Sequence, residues 1–436
     1  MRLFKKWPVR LSLFLAGFLA LAGLADLILV PLGSREVLGA YDFIHADNAD
    51  VVFIGDSLCI YQINPGRFEE ITGKSALNYG IGSAKAKSHV TMAREVFRLK
   101  KPQKLVVVFD PEIDIVRSED TAVIVKFSPV IGSARIRAQY LLDQMEYTLD
   151  DLNRIFLWKS NTETDVQEIV QNVMYKLGID QETAYDRSLK RNNKYMGRGF
   201  FNLDKEHDAA SLKKNARMIR EEAERPLRDA VADSFRKIKA LCERNRCQMV
   251  VVTTPIMRDS VLANGEYRTA MDAMEVFCLE EGIPYLNFTY AQGRSMPDFT
   301  GYYYDGYNHL DAKGLKMFDE PFARTMKAFF DGEDVSGLFM TKDEWMASFD
   351  WVTDAWMTRE EREDGHVYTA YANGGTTVRC EYRFCLVDEE GNETVLQDYA
   401  ENCEVKVNHE RQTGTVRAYV RNRANPDQPA LVCAYE

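Results

Sequence analysis

The stretch Val51-Val52-Phe53-Ile54-Gly55-Asp56-Ser57-Leu58 decides how the rest of the chain is read. Four apolar residues in a row, all β-branched or aromatic, stop at a glycine, which is the pattern of a strand buried on both faces. Polar Asp56 and Ser57 follow, and Asn64-Pro65 then opens a helix over residues 66–71, with asparagine as cap and proline in the first turn. A doubly buried strand that feeds a helix is the opening unit of a parallel α/β sheet.

Working outward, the same alternation returns. Further strands are predicted at Ser75-Ala76-Leu77, Leu105–Phe109, Met249–Thr253 and Pro284–Phe288. Helices are predicted at Ala84–Leu99, Arg225–Glu243, Tyr267–Glu281 and Ala312–Phe330. Together they imply an α/β fold, a doubly wound five-stranded parallel sheet of flavodoxin-like type, with right-handed crossovers over residues 45–332. A helical insertion interrupts it from about residue 111 to 224. Past Gly332 a linker over residues 333–360 is expected, helical from Lys342 to Met357. Val378, Cys380, Tyr382, Phe384 and Leu386 then alternate with polar residues, as do Val416, Ala418 and Val420. Period-two patterning with a Glu390-Gly391-Asn392 turn makes residues 361–436 a small antiparallel β-sandwich.

At the other end, Arg2, Lys5, Lys6 and Arg10 precede an apolar run from Leu11 to Leu32, broken by Ser12 and Asp26. About 20 apolar residues in a helix cross a bilayer. Cations before the run keep that end cytoplasmic, so residues 1–33 are expected to be a single-pass membrane anchor with the globular part extracellular. Ala20-Leu21-Ala22 and Gly23-Leu24-Ala25 fit signal-peptidase sites, but Leu27-Ile28-Leu29-Val30 prolongs the apolar run past both. Asp26 is expected near the outer interface, or in contact with a membrane partner.

With 55 Lys+Arg against 66 Asp+Glu, the net charge is −11, which argues against nucleic acid as a partner. Eight cysteines in 436 residues are too few for a disulfide scaffold. Cys242 and Cys247 are spaced to pair, as are members of the set Cys380, Cys385, Cys403 and Cys433, while Cys59 reads as a small buried hydrophobe. No Cys/His set has zinc spacing and no phosphate-binding glycine loop follows a strand, so neither metal nor cofactor is expected.

Ligands of an open parallel sheet bind at the carboxyl ends of its strands. The residues there are Gly55-Asp56-Ser57, Asn78-Tyr79-Gly80-Ile81-Gly82-Ser83, Asp110, Thr254-Pro255, and the loop Tyr304–Asp311 before the last helix. Among six histidines only His309 falls at such an end. A serine becomes nucleophilic beside a base, and the base needs a carboxylate to orient it. Ser57, His309 and Asp305 are the candidates. In the alternative, His309 caps the closing helix and Asp305 makes a turn.

These positions resemble the SGNH/GDSL hydrolase superfamily over about residues 49–330, the insertion excepted. The resemblance implies Ser57 as nucleophile within Gly55-Asp56-Ser57, and His309 with Asp305 as the late Asp-x-x-His block, here one residue longer. It also implies that Asn78–Ser83 is the second block, which helps bind the oxyanion. The third block's Gly-x-Asn-Asp is replaced by Asp110-Pro111-Glu112. One oxyanion donor, typically worth about 3–4 kcal/mol of barrier, is thereby lost. Ser57, Gly82 with adjoining Ser83, and Asn78 are left to serve. An anchor, an insertion and a poor third block are similar to the superfamily's membrane-anchored branch, which acts in acyl transfer on envelope glycans beside a membrane O-acyltransferase. That resemblance implies an esterase or O-acyltransferase whose partner is an acylated cell-envelope glycan. The competing expectation is a catalytically inactive glycan-binding or assembly protein on the same scaffold. Within the insertion, Arg187, Lys190, Arg191, Lys194 and Arg198 alternate with Tyr195, Phe200 and Phe201. The stretch is either a solvated loop or a grip on an anionic or sugar polymer.

Overall fold

In β1 (Val51–Ile54) every residue is buried, and successive side chains leave on opposite faces of the sheet. Val51 and Phe53 join one apolar core; Val52 and Ile54 join another. The computed structural model describes residues 7–115, 120–145, 156–159, 162–204, 223–305, 308–408 and 414–435. β1 pairs in parallel with β2 (Ala76–Asn78) on one side and β3 (Lys104–Val108) on the other, aligning Val52 with Leu77 and with Leu105. β6 (Gln248–Thr253) and β7 (Tyr285–Asn287) complete a five-stranded parallel sheet of order β2-β1-β3-β6-β7. The core of Val52 and Ile54 holds the helices Ala86–Leu99, Asp229–Arg244 and Gly265–Glu281 through Val90, Phe235 and Met274; the core of Val51 and Phe53 holds Pro65–Thr72 and Ala312–Phe330 through Phe68, Phe318 and Phe322. The strand order reverses between β1 and β3, so the crevice opens beyond their carboxyl ends.

Between β3 and the helix Asp229–Arg244 lies the insertion. It contains the helices Glu112–Ile115, Thr121–Phe127, Ala134–Asp143, Val166–Lys176 and Gln181–Arg191, and a hairpin of β4 (Tyr195–Gly197) with β5 (Phe200–Phe201). The hairpin turn is fastened to the sheet edge, where the Asn78 N–H donates to the Arg198 carbonyl at 3.1 Å. Gly199, at φ +83°, passes so close that a Cβ there would meet the Asn78 carbonyl oxygen. Only glycine tolerates both the angle and the approach.

The N-terminal helix Trp7–Leu29 contains a 21-residue segment, Val9–Leu29, that is long and apolar enough to cross a membrane. Its far end is tied to the insertion. Asp26 accepts the Trp158 N–H at 3.2 Å, and Lys176 Nζ donates to the carbonyls of Asp26 and Leu27 at 3.1 and 3.0 Å. Asp26 thus has its polar contact within the chain.

Past the sheet, the helix expected over Lys342–Met357 stops at Ala347, and β8 (Val352–Arg362) begins nine residues before the predicted start of the β region. The reason is long-range pairing. Ala355 and Met357 align with Ala372 and Ala370 of β9 (Gly365–Gly374), and their buried side chains face a second sheet. β12 (Glu404–Val407), β9 and β8 make one antiparallel sheet. β11 (Glu393–Ala400), β10 (Cys380–Val387), β13 (Thr415–Asn422) and β14 (Leu431–Ala434) make the other, and both contribute to one apolar core with Phe384 and Val420 at its centre. All eight cysteines are free thiols, so neither Cys242–Cys247 nor any pairing in the C-terminal sheets is formed.

Candidate active site

Ser57 opens the short helix Ser57–Gln62 directly beyond β1. Asp56 caps that helix, its Oδ1 accepting the Leu58 N–H at 2.9 Å. Gly55 makes the turn possible, because a Cβ there would stand 2.9 Å from the Cβ atoms of both Cys59 and Val108. Cys59 is fully buried, as expected, and its thiol donates to Asn78 Oδ1 at 3.1 Å.

His309 arrives from the loop that precedes the helix Ala312–Phe330. That loop is pinned on both sides. Tyr303 bridges to Leu310, the Tyr304 N–H donates to the His309 carbonyl at 2.7 Å, and Asp311 caps the helix by accepting from Lys313 and Gly314. The cap is therefore Asp311, which leaves the His309 ring available. Its Nε2 lies 2.8 Å from Ser57 Oγ, and its Nδ1 is hydrogen-bonded to the Asp305 carboxylate. The other Asp305 oxygen accepts the N–H groups of Asn308 and His309 at 3.2 and 3.3 Å. Asp305 thus makes the turn and holds the imidazole at once. The extra residue of this block, which Gly306 is expected to absorb as a bulge, lies outside the described residues. Tyr61 packs edge-on against His309 with ring centroids 5.4 Å apart. Serine, imidazole and carboxylate in this order can move a proton from the hydroxyl to the ring while the carboxylate balances the ring's charge.

The expected oxyanion donors fare unequally. The Ile81 N–H donates to the Gly55 carbonyl at 3.0 Å, which draws the loop of Gly82 and Ser83 toward the Ser57 turn. Among the described residues, the N–H groups of Ser57 and Gly82 donate to no other group. Ser83 sits at φ +61°, a left-handed conformation for a non-glycine residue. Asn78 is a correction. Its amide nitrogen donates to the carbonyls of Cys59 and Ile63, at 2.6 and 3.0 Å, and its oxygen accepts the Gly80 N–H. With its amide nitrogen committed to the backbone of the nucleophile's helix, Asn78 supports the site and has no donor for an oxyanion.

Asp110, the strand-end residue where the third block would stand, has two partners that the sequence did not reveal. Its Oδ1 accepts the Glu112 N–H at 2.9 Å, and its Oδ2 accepts from Asn308 Nδ2 at 3.1 Å, tethering the residue beside His309. The Asp56 carboxyl stands close enough for its charge to act on Asp110. Both carboxyls are buried. Burial pushes Asp56 up to about 6 and raises Asp110 as well, with the Asp56 charge adding to the effect on Asp110. Protonation of either one relieves the other.

The raised value has a consequence for stability. A carboxyl with a higher pKa in the folded protein than in the unfolded chain favours folding below its unfolded value, near 4, and loses that contribution as pH rises through about 6. Asp56→Asn keeps the oxygen that caps Leu58 and gives Asp110 a permanent donor. The variant is expected to match the wild type near pH 4 and to exceed it by on the order of 2 kcal/mol at pH 8, read as a higher Tm at the upper pH only. An equal advantage at both pH values would contradict the raised pKa of Asp56.

No family model matches this sequence, and no curated protein matches it. Among solved structures, the chain is similar to a protein from Bacteroides fragilis assigned as an acylhydrolase, at 10% identity and a TM-score of 0.32, over 66% of this chain and 94% of that one. It is also similar to a GDSL-like lipase from Bacteroides thetaiotaomicron, at 10% identity and a TM-score of 0.30, over 64% and 88% of the two chains. A third, from Desulfitobacterium hafniense, is assigned to the G-D-S-L lipolytic family; it shows 11% identity and a TM-score of 0.29, over 63% and 97%.

Proposed function

We propose that the chain is an exported, membrane-tethered serine hydrolase of SGNH/GDSL type, an esterase or O-acyltransferase acting on acyl esters of a cell-envelope glycan. The observation that carries this reading is the 2.8 Å approach of His309 Nε2 to Ser57 Oγ, with Asp305 on the opposite ring nitrogen. Ser57 Oγ attacks the ester carbonyl and passes its proton to His309 Nε2. Asp305 holds the resulting imidazolium, and the N–H groups of Ser57 and Gly82 face the developing oxyanion. His309 then protonates the departing alcohol, leaving the acyl group on Ser57. A water or an acceptor hydroxyl, deprotonated by the same imidazole, releases it. Water makes the protein an esterase; a glycan hydroxyl makes it a transferase, for which a membrane O-acyltransferase is the natural supplier of acyl groups. The apolar N-terminal helix supports the membrane assignment.

The competing reading, an inactive glycan-binding protein, draws on Asp110 standing where the family carries an oxyanion donor. A fluorophosphonate probe added to the full-length protein in detergent separates the two. Covalent labelling of Ser57, located by peptide mass, is expected. An unlabelled protein with a normal melting curve would establish the inactive reading.

A further inference from the structure

Beside His309 lies a cavity of about 470 Å³ whose lining is drawn from four separate parts of the chain, Tyr61 of the nucleophile's helix among them. Arg35 comes from the first turn of the helix Ser34–His45, Arg191 and Lys194 from the insertion, and Tyr304 and Asp305 from the histidine loop. Three cations thus face a single carboxylate among the described lining residues, and that carboxylate is already engaged with His309.

The three cations differ in what holds them. Arg191 pairs with Glu168 at 2.7 Å, and Lys194 with the exposed Asp204 at 3.1 Å. Arg35 donates to the Tyr61 hydroxyl, and its guanidinium lies 5.9 Å from the Tyr61 ring centroid and 6.0 Å from that of Phe201. Among the described residues no carboxylate stands within ion-pair distance of it. Aromatic faces orient a guanidinium without neutralising it, and although the charge of neighbouring Glu36 reaches Arg35, it makes no ion pair with it, which leaves the guanidinium able to take an anion.

This wall is built rather than incidental. Asn192 Nδ2 donates to Ser34 Oγ at 2.9 Å, Tyr195 donates to the Leu38 carbonyl at 3.2 Å, and beneath the cavity Leu38, Ile60, Tyr61, Phe201 and Leu203 form one apolar cluster. The insertion is thereby clamped onto the helix that carries Arg35. Tyr61 links the two functions directly, since its hydroxyl takes the Arg35 hydrogen bond while its ring packs on His309.

We propose that this cavity binds an anionic group, a carboxylate or a phosphate monoester, on the hydroxylated molecule whose acyl ester is presented to Ser57. The proposal rests on the hydrolase reading for what happens to the ester, but the binding itself does not. A planar guanidinium with a nearby ammonium suits an oxyanion, and the neighbouring Asn192, Asn193 and Tyr304 offer hydrogen bonds to sugar hydroxyls. Arg35 lies six residues beyond the last residue of the apolar helix, so the anion is taken up close to where the chain leaves that helix.

The test is a calorimetric titration of the full-length Ser57→Ala protein in detergent with glucose, glucuronate and glucose 6-phosphate. At least one anion is expected to bind tenfold or more tightly than glucose. Arg35→Gln is expected to erase most of that difference, while Arg35→Lys retains part of it. Whichever anion binds more tightly identifies the group as carboxylate or phosphate. Equal affinity for all three sugars, or an anion preference that survives Arg35→Gln in a protein with normal melting, would overturn the proposal. Anion binding by a chain that the fluorophosphonate leaves unlabelled would keep the site and discard the hydrolase. Labelling without anion preference would do the reverse.

Discussion

Ser57→Ala is expected to lower hydrolysis of a small activated ester, such as 4-nitrophenyl acetate, by roughly 10⁴–10⁶-fold. In the proposed mechanism the Ser57 hydroxyl forms the acyl bond, and among the described residues no other side-chain oxygen is hydrogen-bonded to His309 Nε2. His309→Ala is expected to cost a similar factor, because a serine without its base stays protonated. The double variant should be no worse than either single one, since the two residues act as a unit and their losses do not add. Steady-state rates on the full-length protein, with melting curves to show that each variant folds, decide the matter. Turnover within tenfold of the wild type for Ser57→Ala would remove the serine from the mechanism.

Asp305→Asn is expected to lower turnover by about 10²–10⁴-fold while leaving the fold intact. The geometry gives the reason. One Asp305 oxygen accepts two backbone N–H groups, from Asn308 and His309, and only an oxygen can stay there. The amide nitrogen must then face His309 Nδ1 as a donor. That selects the tautomer with its proton on Nε2, the atom that has to accept from Ser57. KM for a small ester should change little, because Asp305 touches the imidazole and not the acyl group. A rate within a few-fold of the wild type would show that Ser57 and His309 work as a dyad, with Asp305 serving the turn alone.

Much of this was legible in the chain. The stretches at residues 51–54, 105–108 and 249–252 are runs of Val, Phe, Ile, Leu and Met too apolar for anything but a doubly covered sheet, and they lie in the central strands. Ser57 and His309 were found by a rule of place, since a parallel sheet collects its loops at the strands' carboxyl ends whatever the loops contain. The start of the C-terminal sheets was misjudged. Trp351–Met357 carries no clean alternation, and its strand state is imposed by β9, whose residues lie more than a dozen positions away. Asn78 was misassigned for a related reason. Residue type shows what a side chain can donate, whereas its partners, the Cys59 and Ile63 carbonyls, are selected by the path of a helix 15 to 19 residues earlier.

By itself, then, the sequence determined the parallel sheet, the apolar N-terminal helix and the placement of Ser57 and His309 at the strands' carboxyl ends, because burial periodicity and strand-end placement are local properties of the chain. Tertiary structure alone decided that Asp110 is buried within reach of the Asp56 charge and tethers Asn308, and that Arg35 stands over Tyr61 in a cavity with Lys194. Those pairings join residues 26 to 198 positions apart. Whether such groups meet depends on sheet order and on how the insertion folds back, and electrostatic interaction falls off with distance in space irrespective of distance along the chain.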